Sequence, residues 1–143
     1  MFIPINFESF PSSLLDSTKK TVLIIDKPGH YRLDESIIIG SSDAGDTGHF
    51  IDFGRQIGPP PFHFGIWAAI SIASDNVTID LNEHTISMTN NFARQHRFFS
   101  LIELANQPFP KGKGGFPFDI IPSNHVIIKN GTLSNSSHHC IHG

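Results

Sequence analysis

Apolar and polar positions alternate most regularly through Val77-Thr78-Ile79-Asp80-Leu81-Asn82, with Val77, Ile79 and Leu81 on one side. A period of two predicts a short β-strand with one face on a core and one in water. The phrase recurs. Ser74-Asp75-Asn76-Val77-Thr78-Ile79-Asp80-Leu81 is answered 49 positions later by Ser123-Asn124-His125-Val126-Ile127-Ile128-Lys129-Asn130, where Val126 and Ile128 extend the inward row. His84-Thr85-Ile86-Ser87 is answered by Gly131-Thr132-Leu133-Ser134 after two residues are dropped, and Ile70-Ser71-Ile72-Ala73 by Ile102-Glu103-Leu104-Ala105 at an offset of 32. The offsets 49 and 32 differ by 17, the length of the segment Asn106 to Pro122. One unit of about 32 residues therefore repeats, and its second copy carries an inserted loop.

Strands too thin to bury their own apolar face must stack on their copies, which predicts a parallel, in-register solenoid with rungs about 4.8 Å apart. Three phrases add a resemblance. Pro28-Gly29-His30-Tyr31-Arg32-Leu33 looks like the "PGxYxL" opening of a first coil, and Asp75 to Ile86 looks like "DNVTIDLNGHTI". Val126-Ile127-Ile128-Lys129-Asn130-Gly131-Thr132 looks like "VxIKNGT". With these, the chain resembles the right-handed parallel β-helix proteins of the pectate-lyase-like superfamily. Glu83 stands where the second phrase usually has Gly. The resemblance implies an all-β, right-handed parallel β-helix and no particular reaction, since that fold serves lyases, hydrolases, tailspikes, adhesins and virion proteins.

The expected organisation is one domain over residues 1–143, with an N-terminal cap at 1–20, coils at 21–143, and insertions at 40–68 and 106–122. Ser12-Ser13-Leu14-Leu15-Asp16-Ser17 reads as a short capping helix, with a hydroxyl cap and an acid three residues on. Cys140-Ile141-His142-Gly143 reads as the opening strand of a further coil, which suggests a fragment, a clipped product, or a protomer covered by another subunit.

Composition narrows the function classes. A 38% hydrophobic share is ordinary for a globular domain, and a net charge of −3 offers no basic surface for nucleic acid. No apolar run reaches the roughly 18 residues of a membrane helix. The first residues lack the basic start and apolar stretch of a secretory signal, so export inside a virion or display on an extracellular surface is favoured. Asn76, Asn130 and Asn135 begin glycosylation sequons, but Asn and Thr are common in β-helix turns anyway.

The insertions are rich in phenylalanine, with Phe50, Phe53, Phe62, Phe64 and Trp67 in the first and Phe109, Phe116 and Phe118 in the second. So many rings must cover something. Two readings are open: a satellite core against the flank of the coils, or an exposed patch for a partner subunit or for sugar rings. Lys111 and Lys113 lie in a Gly-rich loop that could touch an anionic glycan, although no Ser or Thr follows as a phosphate loop requires.

Catalytic chemistry is poorly provided. Aligning the repeats sets Asp80 over Lys129 and Asp75 over Asn124, while Glu103 stands alone, so no pair of carboxyl groups of the glycosidase kind emerges. Asp43-Ala44-Gly45-Asp46 reads as a turn rather than a Ca²⁺ loop. His138, Cys140 and His142 alternate, so all three could share a strand face with Ile141 turned inward, the one weak arrangement for Zn²⁺. His84 and His125 occupy turns. No cofactor motif is evident. The sequence favours a non-catalytic structural or binding module whose partners are protein subunits or polysaccharide. The alternative is the N-terminal part of a polysaccharide lyase or glycoside hydrolase with its active residues in later coils.

Overall fold

A computed structural model describes residues 1–12, 20, 22–40, 50–51, 66–94, 98–104, 121 and 123–143. Its strands are β1 (Ile3–Ile5), β2 (Leu23–Ile25), β3 (Gly29–Leu33), β4 (Ile37–Ile39), β5 (Phe50–Ile51) and β6 (Ile66–Ile72), followed by β7 (Val77–Asp80) and β8 (Thr85–Met88). After the single-turn helix α1 (Asn90–Ala93) come β9 (Phe98–Leu104), β10 (Ile127–Lys129), β11 (Thr132–Ser134) and β12 (His139–His142). The chain is mostly β, and its strands form three parallel sheets, ordered β1-β3-β7-β10, β11-β8-β4-β5 and β12-β9-β6-β2. From β7 onward it visits them in one rotation, β7-β8-β9 and then β10-β11-β12.

The repeats predict the pairing residue by residue. Ile128 lies over Ile79 and Lys129 over Asp80. Leu133 lies over Ile86 and Ser134 over Ser87. Ile102 lies over Ile70 and Glu103 over Ser71. Inward rows from all three sheets meet in one apolar cluster, with Val77, Ile79, Ile86, Ile70, Ile72 and Ile102 all fully buried. Strand β7 alternates cleanly between buried and half-buried positions, as a one-sided strand should. Strand β6 does not: Ala68 through Ile72 are buried on both faces, which fits its near-continuous apolar run.

Two boundaries differ from the sequence expectation. Within the segment expected to be only a cap, Ile3–Ile5 pairs in parallel with Tyr31–Leu33 as the edge strand of its sheet. Ile5 is buried there, and Pro4, which has no N–H to donate, is tolerated because an edge strand pairs on one side only. The described helical turn of this region is Phe7–Ser9, whose N-cap Asn6 accepts from the Glu8 N–H while Ser9 Oγ accepts from the Asn6 N–H. Residues 13–17 of the expected helix lie outside the described residues, and Ser12 bridges Lys20 in antiparallel fashion. The expected insertion at 40–68 also ends early, because residues 66–68 already belong to β6 and residues 50–51 pair with β4.

Turns between the sheets use left-handed backbone. Asn76 and His125, equivalent in the repeat, both have φ of 56°, and Asn130 and Asn135 have φ of 61° and 54°. Asn82 and Glu83 take φ of 50° and 64°, so Glu83 holds a conformation that favours glycine. Its N–H donates to the Asn130 carbonyl at 2.6 Å, which ties the turn to the next rung. At Gly131 any Cβ would press on Leu81 and the His84 carbonyl, so only glycine fits that close approach.

Glu83→Gly is expected to stabilise the protein by about 0.5–1 kcal/mol by removing left-handed strain. Gly131→Ala is expected to cost about 1–3 kcal/mol through overpacking. Urea unfolding of the two variants checks both signs.

Candidate functional site

In the sheet β12-β9-β6-β2, Ile24, Ser71, Glu103 and His142 occupy consecutive rungs of one column, which is polar from Ser71 onward. Glu103 is completely buried, and His142 Nδ1 lies 2.8 Å from both of its carboxyl oxygens. Burial penalises the charged form and pushes the Glu103 carboxyl from its ordinary 4.5 up to about 8. The Glu103 carboxyl therefore holds its proton near neutral pH, with His142 Nδ1 beside it. Ser71 is buried on the opposite rung, and its Oγ has no hydrogen-bond partner. The order Ser71, Glu103, His142 places the acid in the middle, so Ser71 is two rungs, about 10 Å, from the imidazole. A nucleophile relay needs the imidazole between hydroxyl and acid. This column instead suits a proton-holding clasp between two strands.

Other acids are also tied rung to rung. Asp75 accepts from the Asn124 backbone N–H at 2.6 Å and from its side-chain amide at 3.1 Å. Asp80 accepts from the Asn82 N–H at 2.9 Å and from the Asn130 amide at 3.1 Å. These bonds, that of Asn82 first, hold the Asp80 carboxyl below its usual range, with Lys129 and Arg32 adding attraction. Arg32, Asp80 and Lys129 thus form a column of alternating charge, of which the sequence repeat disclosed only the last two.

The residues singled out from sequence fare unevenly. Glu103, expected to stand alone, is clasped by His142 instead, because β12 adds a further rung at an offset of 39. The missed signal is the series Ile70-Ser71, Ile102-Glu103, Ile141-His142, short enough to escape notice.

His138, Cys140 and His142 do not converge. The Cys140 thiol is directed to the Leu133 carbonyl at 3.6 Å, His142 turns to Glu103, and His138 precedes the strand and stacks edge-on against His139. Ile141, expected inward, is 43% exposed, since β12 is an edge strand and nothing described lies over it. Among the described residues no group of three metal-ligating side chains could hold a metal ion, and no helix is long and apolar enough to cross a membrane.

Phe50 and Trp67 belong to β5 and β6 rather than to loops. Phe53, Phe62, Phe64, Phe109, Lys111, Lys113, Phe116 and Phe118 lie outside the described residues, as do Asp43 and Asp46. His84 sits in its expected turn, its N–H donating to the Leu81 carbonyl at 2.8 Å. Of the sequon asparagines, Asn130 spends its amide on Asp80, and Asn135 spends its own on the Met88 carbonyl and on Asn90.

No protein-family profile, curated protein or solved structure matches this chain.

The Glu103 clasp has a definite pH signature. Its folded pKa is raised, so its contribution to stability is complete below pH 4.5 and is lost as pH rises through about 8. The stability difference between the native protein and Glu103→Gln is expected to shrink over that interval, by at most about 1.4 kcal/mol per pH unit. Denaturant titrations at several pH values check this, and a pH-independent difference would contradict it.

Proposed function

We propose that this chain is a right-handed parallel β-helix of the pectate-lyase-like kind, acting as a non-catalytic structural or binding module. Its setting is a virion or an extracellular surface, where its loops meet a partner subunit or a glycan. Support for the solenoid comes from the repeated rotation through three parallel sheets. Parallel crossovers are overwhelmingly right-handed, which supplies the hand.

The observation that carries the structural role is how the acids beside the neighbouring rungs are used. Asp75, Asp80 and Glu103 each spend their oxygens on the neighbouring rung, at Asn124, Asn130 and His142. A carboxylate locked to the next coil resists rung slippage and is poorly placed to move a substrate proton. The binding role falls to the phenylalanine-rich insertions, whose rings suit a subunit contact or stacking on sugar.

Incubation with a panel of acidic and neutral polysaccharides tests the proposal. Retention without release of reducing sugar or unsaturated uronate, or self-association that Phe62→Ser with Phe64→Ser abolishes by light scattering, is the expected result. Measurable turnover by the 143-residue chain would overturn it.

A further inference from the structure

Asn130 is the only asparagine of the chain that is followed by glycine. An Asn-Gly pair is among the most labile amides in proteins, because glycine has no Cβ to hinder attack of its nitrogen on the preceding side chain. Both residues are exposed at the corner between β10 and β11, and the Gly131 N–H donates to no described group. The rest of the corner is engaged. The Asn130 carbonyl accepts from the Glu83 N–H at 2.6 Å, and the Thr132 N–H donates to the His84 carbonyl at 3.1 Å. The Asn130 amide donates to Asp80 Oδ1 at 3.1 Å. The attacking nitrogen is therefore free, and the amide it would attack is held by the neighbouring rung.

We propose that Asn130 is a deamidation site whose reaction is gated by its hydrogen bond to Asp80 and whose product uncouples this corner from the neighbouring rung. In the first step the Gly131 nitrogen bonds to Asn130 Cγ and gives up its proton. The Cγ–Nδ2 bond breaks, and ammonia leaves with that proton as a cyclic succinimide closes. Water then opens the ring at either carbonyl. Opening at the former side-chain carbonyl leaves an aspartate, and opening at the former backbone carbonyl routes the main chain through Cγ as an isoaspartate. Only water is consumed, and no group is oxidised or reduced.

The gate is geometric. Ring closure turns the Asn130 side chain toward its own backbone, so Nδ2 has to leave Asp80 first. The product cannot return to that contact. A carboxylate at position 130 has no N–H to donate and meets Asp80, whose own carboxyl is held below its usual range, first by the Asn82 N–H, and is ionised at neutral pH. The isoaspartyl form also adds a main-chain methylene beside Gly131, where a Cβ alone would already press on Leu81 and the His84 carbonyl. Either form removes the hold that Asp80 and Asn130 provide between β7 and β10. The consequence is a rung contact that is lost irreversibly as the protein ages.

The test is peptide mapping by mass spectrometry of the full chain aged at mildly alkaline pH, with each amide-to-acid conversion assigned to its asparagine. Conversion should concentrate at Asn130 and exceed that at Asn135, which is followed by serine. Asp80→Ala should speed the Asn130 reaction roughly three- to tenfold, the effect of losing one hydrogen bond. Asp75→Ala, which removes the corresponding hold on Asn124, should leave it unchanged. In Asn130→Asp, which carries the charge of the product, amide hydrogen exchange of Glu83 and Thr132 should be faster than in the native protein, since their N–H groups bond on either side of Gly131. Preferential conversion at another asparagine overturns the proposal. So does an Asn130 rate that Asp80→Ala fails to raise or that Asp75→Ala raises equally, and so does unchanged exchange in Asn130→Asp.

Discussion

In-register parallel stacking is the constraint on which the rest of the structure depends. Its strands are mostly three to five residues long, far too short to bury an apolar row within a single unit. Each row becomes part of a core only when its copy lies directly above or below, as Ile79 lies between Tyr31 and Ile128. A slip of one residue would turn Val77 and Ile79 to water and bring Thr78 and Asp80 inward. Register therefore has to be held by more than apolar contact.

The polar columns provide that hold. Asp75 and Asp80 grip the next rung through amides, and the left-handed asparagines at the corners let the backbone leave one sheet and enter the next. Position within a column decides what each charge does. Asp80, between Arg32 and Lys129 on an outer face, stays ionised easily. Glu103, on a sheet buried on both faces, holds its proton far more tightly. One acid acts as a permanent anchor, and the other responds to pH.

A structural scaffold with such a responsive edge is a coherent reading of the two observations together. The rung-bound acids keep the sheets aligned, while buried Glu103, beside His142, places a proton-holding contact against one edge strand.

What the sequence alone determined was the repeat and, through it, the pairing. The phrases at Ser74 and Ser123 put Lys129 over Asp80, because a strand's inward row is a local pattern and identical rows stack on one another. The asparagines of the corners were readable for the same local reason, whereas the need for glycine at 131 came from the close approach of Leu81 and the His84 carbonyl. Less was legible at the candidate site. Ser71 and Glu103 were aligned, but His142 shares only an isoleucine neighbour with them, too little to set its rung from sequence. The strand made by Ile3–Ile5 was equally hidden, since its partner Tyr31–Leu33 shares almost no residue types with it. Only the tertiary structure could decide that Glu103 is enclosed and clasped, because burial and charge depend on what covers a side chain from distant parts of the chain.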